Sequence, residues 1–393
     1  MRSVTEGGWS ALYLSLVHPD FLAPIYAVAA SLQEHGARVR VLSFSSPAPG
    51  ASTSYRMTEF RNAGPLKGNA FSRWRARRTF GRLGREMMDT ERPDIILASC
   101  PFSFLSALRL SRGRIPVIYH AFELYDFGPA DFWRSPATTV RSWLTLRKLS
   151  HAALVCTPSA ERSGWLAGRA RLAVLPTTVL NVPFGGLLPA NGDSTALEGI
   201  LPGGTRGRSI VLNSGAVNAS YAVVELVRSV EHWSRNACLI VTRVEDSAYA
   251  TQVRRAAEES PRREDILLLP MVTRAEMLAL QSAATLGACF IRPTPGVPET
   301  LMPAPNKVGE YLQAGLPIVG SWVPYLDQLQ AQGVAVLANH LDPQSIARAV
   351  NRALDGVDSA RKRVAEIANG WYRMETQVLP ILEVIDSRRR RSG

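Results

Sequence analysis

The chain is 393 residues long, 46% hydrophobic and 20% charged, with a formal net charge of +12. At roughly 100–200 residues per domain, that length points to two domains, each able to bury its own core, and the composition excludes fibrous, low-complexity and disulfide-scaffold classes. The basic surplus favours anionic partners such as phosphorylated substrates or lipid headgroups; no DNA- or RNA-binding module is recognisable, so nucleic acid is set aside.

The only lysines are Lys67, Lys148, Lys307 and Lys362, an arginine bias that points to a GC-rich bacterial genome. Cys100, Cys156, Cys238 and Cys289 form no CxxC pair. They read as buried thiols in a reducing compartment, neither a disulfide frame nor a zinc site. The apolar segment 11–32 is interrupted by His18, Pro19, Asp20 and Pro24. It is too broken for a membrane span, which needs about 20 apolar residues in a row, and no signal peptide is evident. The expectation is a cytoplasmic protein that at most touches the inner face of the membrane.

Along the chain, "ALYLSLV" (11–17) predicts a strand, "FLAPIYAVAASLQEHG" (21–36) a helix ending at Gly36, and "ARVRVLSF" (37–44) a second strand. The pattern recurs. "DIILAS" (94–99) is followed by a helix through Leu110, "PVIYHAF" (116–122) by a helix through about Leu149, and then comes "AALVCTPS" (152–159). "RWRARRTFGRLGRE" (73–86) reads as a basic amphipathic helix whose Trp74 and Phe80 could dock on an anionic membrane. The stretch 183–208 is rich in Gly, Pro and Ser and reads as a linker. A second series then begins with the strand "SIVLNSG" (209–215) and the helix "YAVVELVRSVEHW" (221–233). Strands follow at 237–244, 265–272, 285–292 and 316–321, with a helix opened by the capping box Thr273–Glu276. The last segment, from Ala360, is helical with a break at Gly370, and the "RRRR" tail (388–391) reads as disordered. Strands alternating with helices predict parallel sheets covered on both faces, twice over.

Neither GxGxxG after a strand nor a P-loop occurs, and no DxD triplet offers a metal–diphosphate site. Two other places suit a phosphorylated ligand. In "SGAVNASYAVVEL" (214–226) a strand ends at Gly215, Ala216 and Asn218 lie in a small-residue loop, and Ser220 could cap the next helix. In "PNKVGEYLQAGLPIVGS" (305–321) Pro305 opens a helix, with Asn306 and Lys307 near its positive end. A lysine there opposes the helix dipole and so points to an anionic ligand. Glu310 follows one turn later, where its carboxylate could accept two sugar hydroxyls; a solvated Lys–Glu pair is the alternative.

The 305–321 stretch resembles the nucleotide-sugar signature of retaining group 1 glycosyltransferases of the GT-B fold, the glycogen-synthase-like superfamily. "HAALVCTPSAERSGWLA" (151–167), "VLNVP" (179–183) and "GWYRMETQVLPILE" (370–383) also look like segments of that family. The resemblance covers essentially the whole chain. It implies an α/β GT-B fold: two Rossmann-like, doubly wound parallel-sheet domains facing across a cleft. The acceptor domain would be 1–183, the linker 184–208, the donor domain 209–369, and 370–393 a helix crossing back to the first domain. It implies transfer of a sugar from a nucleoside diphosphate sugar to a hydroxyl of a sugar, lipid-linked or natural-product acceptor, with retention and with no metal or other cofactor. Gly215, Ala216, Asn218, Pro305, Asn306, Lys307 and Glu310 would hold the donor, with Glu310 on the ribose. His18 and Asp20 would line the acceptor side, and His120 and Glu123 would be the catalytic-side residues. Two departures stand out. Met302 occupies the place of a frequent second Glu, with Glu299 out of register, and Phe122 the place of the usual His. They leave open a degenerate partner subunit, or an epimerase- or phosphorylase-like relative.

Overall fold

A computed structural model describes residues 8–16, 23–44, 59–66, 68–123, 135–185, 201, 207–234, 236–293 and 305–392. The chain divides into two compact units: Met1–Phe184 together with Met374–Gly393, and Gly185–Arg373.

The first unit runs β1 (Trp9–Leu14), α1 (Ala23–Glu34), β2 (Ala37–Ser43), β3 (Glu59–Asn62), α2 (Ala70–Glu91), β4 (Ile95–Ala98), α3 (Pro101–Ser111), β5 (Val117–His120), α4 (Pro136–Lys148), β6 (Leu154–Thr157), α5 (Ala160–Ala170) and β7 (Thr177–Thr178). Among the described residues its seven strands are all parallel, in the order β3-β2-β1-β4-β5-β6-β7. Every residue of β4 and β5 is buried, as expected of strands covered on both faces. On one face Leu12, Leu14, Ile96, Phe104 and Tyr119 share a core with Phe80 of α2. Gly36 closes α1 at φ +81°, a left-handed turn that favours glycine.

The second unit runs β8 (Ser209–Asn213), α6 (Val223–Ser229), β9 (Ala237–Val241), α7 (Ala248–Glu258), β10 (Ile266–Leu268), α8 (Arg274–Ala283), β11 (Leu286–Cys289), α9 (Asn306–Gln313), β12 (Ile318–Ser321), α10 (Pro324–Ala331), β13 (Ala335–Ala338), α11 (Pro343–Asp355) and α12 (Val357–Asn369). Among the described residues six parallel strands are ordered β10-β9-β8-β11-β12-β13. The chain then returns to the first unit as α13 (Met374–Gln377) and α14 (Leu379–Ser392). Among the described residues no helix is long and apolar enough to cross a membrane.

Three expectations need correction. The 388–391 tail is helical, not disordered, because Ile381, Leu382 and Ile385 bury one face of α14 and Arg388 donates to the Asp94 carbonyl at 2.5 Å. Trp74 and Phe80 do not form one apolar stripe: Phe80 stacks on Phe44 in the core, centroids 4.6 Å apart, while Trp74 is 49% exposed. Six residues of helix turn the chain by about 240°, so the two aromatics face different ways. Ser220 does not cap the next helix. That helix starts later, at Val223, because Tyr221 is engaged in an antiparallel bridge with Ile291. The α8 capping box is present: Thr273 accepts from the Glu276 amide, and Glu276 reaches back to the Thr273 amide at 2.6 Å. All four cysteines are free and buried.

Candidate functional site

In each sheet the strand order reverses beside the first strand of the unit, at β1 between β2 and β4 and at β8 between β9 and β11. Open parallel sheets bind ligands outside the carboxyl ends of the strands at such a reversal. In the second unit this point is the sequence Asn213-Ser214-Gly215. Gly215, at φ +93°, turns the chain in a way a side chain would strain. Beyond it Ala216 and Asn218 are exposed, and Asn218 Oδ1 accepts the Ser220 amide at 2.9 Å in a local turn.

Helix α9 supplies the groups that reach this turn. Pro305 is its N-cap residue and lacks an N–H that would need a partner, and half-buried Asn306 is the first helical residue. Lys307 is only 8% exposed. Its Nζ donates to Asn213 Oδ1 at 3.2 Å and lies 4.6 Å from the centre of the Tyr221 ring. Burial pulls the ammonium below the ordinary lysine range, opposed in part by Cys289. Asn213 is itself 2% exposed, and its amide Nδ2 has no hydrogen-bond partner. A buried cation therefore stands beside an unused buried donor, at the place where a sheet of this kind takes its ligand. Both would serve an anion.

One turn later, half-buried Glu310 accepts from Gln281 Nε2 at 3.4 Å, while the Gln281 Oε1 has no partner. Lys307 and Glu310, three residues apart on α9, thus reach towards different elements, β8 and α8. Tyr311 anchors the helix: its Oη accepts from Ser214 N at 2.7 Å and Ser214 Oγ at 2.9 Å. Its ring lies against Gly287 of β11, where a Cβ would come within 2.2 Å. The sequence reading named Gly215 and Lys307 but passed over Asn213, Gln281 and Tyr311. A polar residue ending a buried strand just before a glycine was the available signal for Asn213.

In the first unit His120 ends β5, fully buried, with neither ring nitrogen hydrogen-bonded. Burial lowers its pKa to about 3, the Val179 backbone opposing, so the ring is neutral. It packs on Phe122 at 4.0 Å between centroids. Glu123 is exposed just beyond, and the buried Arg162 of α5 donates to the Phe122 carbonyl at 2.8 Å. That contact fixes the turn and sets a guanidinium near the Glu123 carboxylate, which partly offsets the burial that lowers the Arg162 pKa. His18, Asp20, Glu299 and Met302 lie outside the described residues.

Residues 25–179 match Glycosyltransferase Family 4. No curated protein matches the chain. Solved structures match its fold along nearly the full length. HepE from Anabaena, in complex with UDP, is 15% identical with a TM-score of 0.70, the match covering 96% of this chain and 100% of that one. Sucrose-phosphate synthase from Thermosynechococcus elongatus is 17% identical with a TM-score of 0.67, covering 96% and 98%. An α,α-trehalose-phosphate synthase (UDP-forming) from Burkholderia vietnamiensis is 12% identical with a TM-score of 0.65, covering 99% and 100%.

Proposed function

We propose that this chain, a GT-B-fold glycosyltransferase with a Glycosyltransferase Family 4 domain at residues 25–179, moves a sugar from a nucleoside diphosphate sugar to an acceptor hydroxyl with retention and without a metal. The observation that carries the reading is the buried Lys307, held by Asn213 at the carboxyl end of β8. HepE, likewise of this fold, is described in complex with UDP and with UDP-glucose, and this supports a uridine or related donor.

The hard step is breaking the anomeric C–O bond while negative charge grows on the departing diphosphate. Lys307, the Asn213 amide and the backbone amides after Gly215 meet that charge. The buried setting strengthens each contact, and the groups are in position before reaction. Loss of one such donor costs about 3 kcal/mol, roughly a hundredfold in rate. Glu310 accepts two ribose hydroxyls, and Pro305 and Asn306 bring the α9 amides to the phosphates. The leaving phosphate takes the acceptor proton on the same face of the sugar, which gives retention with no protein nucleophile. Glu123, with His120 neutral behind it, orients the acceptor. The acceptor is a sugar, lipid-linked or natural-product hydroxyl, and the exposed Phe71, Trp74 and Trp143 support one presented at an anionic membrane surface.

The test is product analysis by NMR with purified protein and a panel of nucleotide sugars, with and without a chelator. The expected result is an axial-to-axial or equatorial-to-equatorial product, unaffected by chelation, and a turnover about a hundredfold lower in Lys307→Met. An inverted product, or full turnover in Lys307→Met and Glu310→Gln, would sink the reading.

A further inference from the structure

Helices α2, α3 and α4 of the first unit enclose a groove of about 390 Å³ lined by Arg77, Arg85, Arg109 and Arg141, with Phe102 and Gly81 beside them. Among the described residues no acidic one lines it. Charged side chains elsewhere on α2 find partners, as Arg82 does with Glu86 at 2.5 Å. Among the described residues none of the four groove arginines makes an ion pair. The Arg77 Nε is buried with no acceptor. Arg141 is held below the ordinary guanidinium range by burial and then by the charge of Arg77, with Cys100 opposing. Its guanidinium is nevertheless kept in place, 5.8 Å from the centre of the Phe102 ring. Two like charges are thus gathered in a partly desolvated place with nothing to balance them, which destabilises the free protein.

Gly81 supplies an independent indication. Residues 77, 81 and 85 form one stripe of α2, and the glycine sits between the two arginines. A glycine inside a helix costs roughly 0.5–1 kcal/mol relative to alanine. Gly84, one turn away, has a packing reason, since a Cβ there would come within 2.9 Å of Leu110 Cδ1. Gly81 has none: the one atom within 4 Å of its would-be Cβ is Arg85 Nη1, at 3.9 Å. The missing side chain keeps open the floor of the groove.

We propose that this groove is a binding site for a phosphoryl group, taken either from a soluble phosphorylated compound or from a lipid headgroup. Planar guanidinium forks match the oxygens of a phosphate in pairs, and several of them converging on one space suit a multiply charged anion. The groove is formed by helix faces and not by the carboxyl ends of the strands, so a soluble phosphorylated ligand would go beyond the sugar-transfer reading, while a lipid headgroup would deepen its membrane-presented acceptor and rests on it.

The test uses the full chain carrying Lys307→Met, so that the second unit does not compete for the probe. Inorganic pyrophosphate is titrated by calorimetry at constant ionic strength, and pelleting is measured with phosphatidylcholine vesicles with and without phosphatidylglycerol. Two variants are compared. Arg77→Gln/Arg141→Gln removes charge. Gly81→Leu fills the groove and improves the helix, so it retains or raises the Tm of the free protein. The expected result is saturable binding of pyrophosphate, or of phosphatidylglycerol vesicles alone, weakened about tenfold or more in both variants. The probe that binds identifies the source of the phosphoryl group. Binding of neither probe, or binding unchanged in both variants, overturns the proposal.

Discussion

Lys307 shows how much one side chain can be asked to do. Its ammonium is buried, and its neutral partner Asn213 returns only part of the lost hydration. Burial therefore lowers its pKa in the free protein, and an arriving diphosphate would raise it again. In the proposed reading the charged form is the one that binds. Affinity for a nucleoside diphosphate should therefore weaken as pH rises through the lysine's own titration, by at most about tenfold per pH unit. Calorimetric titrations from neutral to alkaline pH would read this, and Lys307→Arg should flatten the curve. His120 gives the mirror case in the first unit. Its folded pKa of about 3 lies below the unfolded value of 6.5, so the unfolded chain takes up the proton first. The stability held by the neutral ring is complete above pH 6.5 and lost as pH falls towards 3. The loss is on the order of 5 kcal/mol by the end of that window. His120→Leu should remove this part of the acid limb in urea unfolding measured at successive pH values.

At the scale of elements, α9 is fixed by a contact that only glycine permits. The Tyr311 ring lies on the backbone of β11, and its hydroxyl closes the turn after β8. Gly287→Ala would put a methyl 2.2 Å from that ring. The expected cost is about 3 kcal/mol of stability, at the upper end for overpacking, read by chemical denaturation. Tyr311→Leu in the same chain should restore part of it. The elements themselves were largely legible in the sequence. The run "DIILAS" is apolar because β4 is buried, "ARVRVLSF" alternates because Arg38 lies exposed between the buried Ala37 and Val39, and the Thr273–Glu276 cap is written within four residues. What escaped depends on distant partners. The bridge from Tyr221 to Ile291 delays α6, and the Lys307–Asn213 bond spans 94 positions. Strands β3, β7 and β13 and helices α7, α10 and α11 were not read from the sequence. Of the candidate site, the sequence offers Gly215, Lys307 and Glu310 as candidates, with a solvated Lys–Glu pair as the alternative at the last two, whereas Asn213 and Tyr311 acquire meaning only when two elements are brought together.

At the scale of the whole molecule, the first unit is made from both ends of the chain. Met374 N donates to the Pro183 carbonyl at 3.0 Å, Gln377 accepts from Leu180 N at 3.2 Å, and Arg388 grips the Asp94 carbonyl. Burial of Ile381, Leu382 and Ile385 is worth roughly 1.5–3 kcal/mol each, comparable in sum with the stability of a typical domain. A chain ending at Arg373 should therefore lose hydrogen-exchange protection in α1 and β1 while α9 and β11 of the second unit keep theirs. Equal loss in both units would show that the closing helices serve the molecule in another way. The same arrangement sets an order of events during synthesis. The ribosome delivers the whole of Gly185–Arg373 before the strand-rich opening segment receives its last two helices, so the later-made unit can be finished while the earlier one waits.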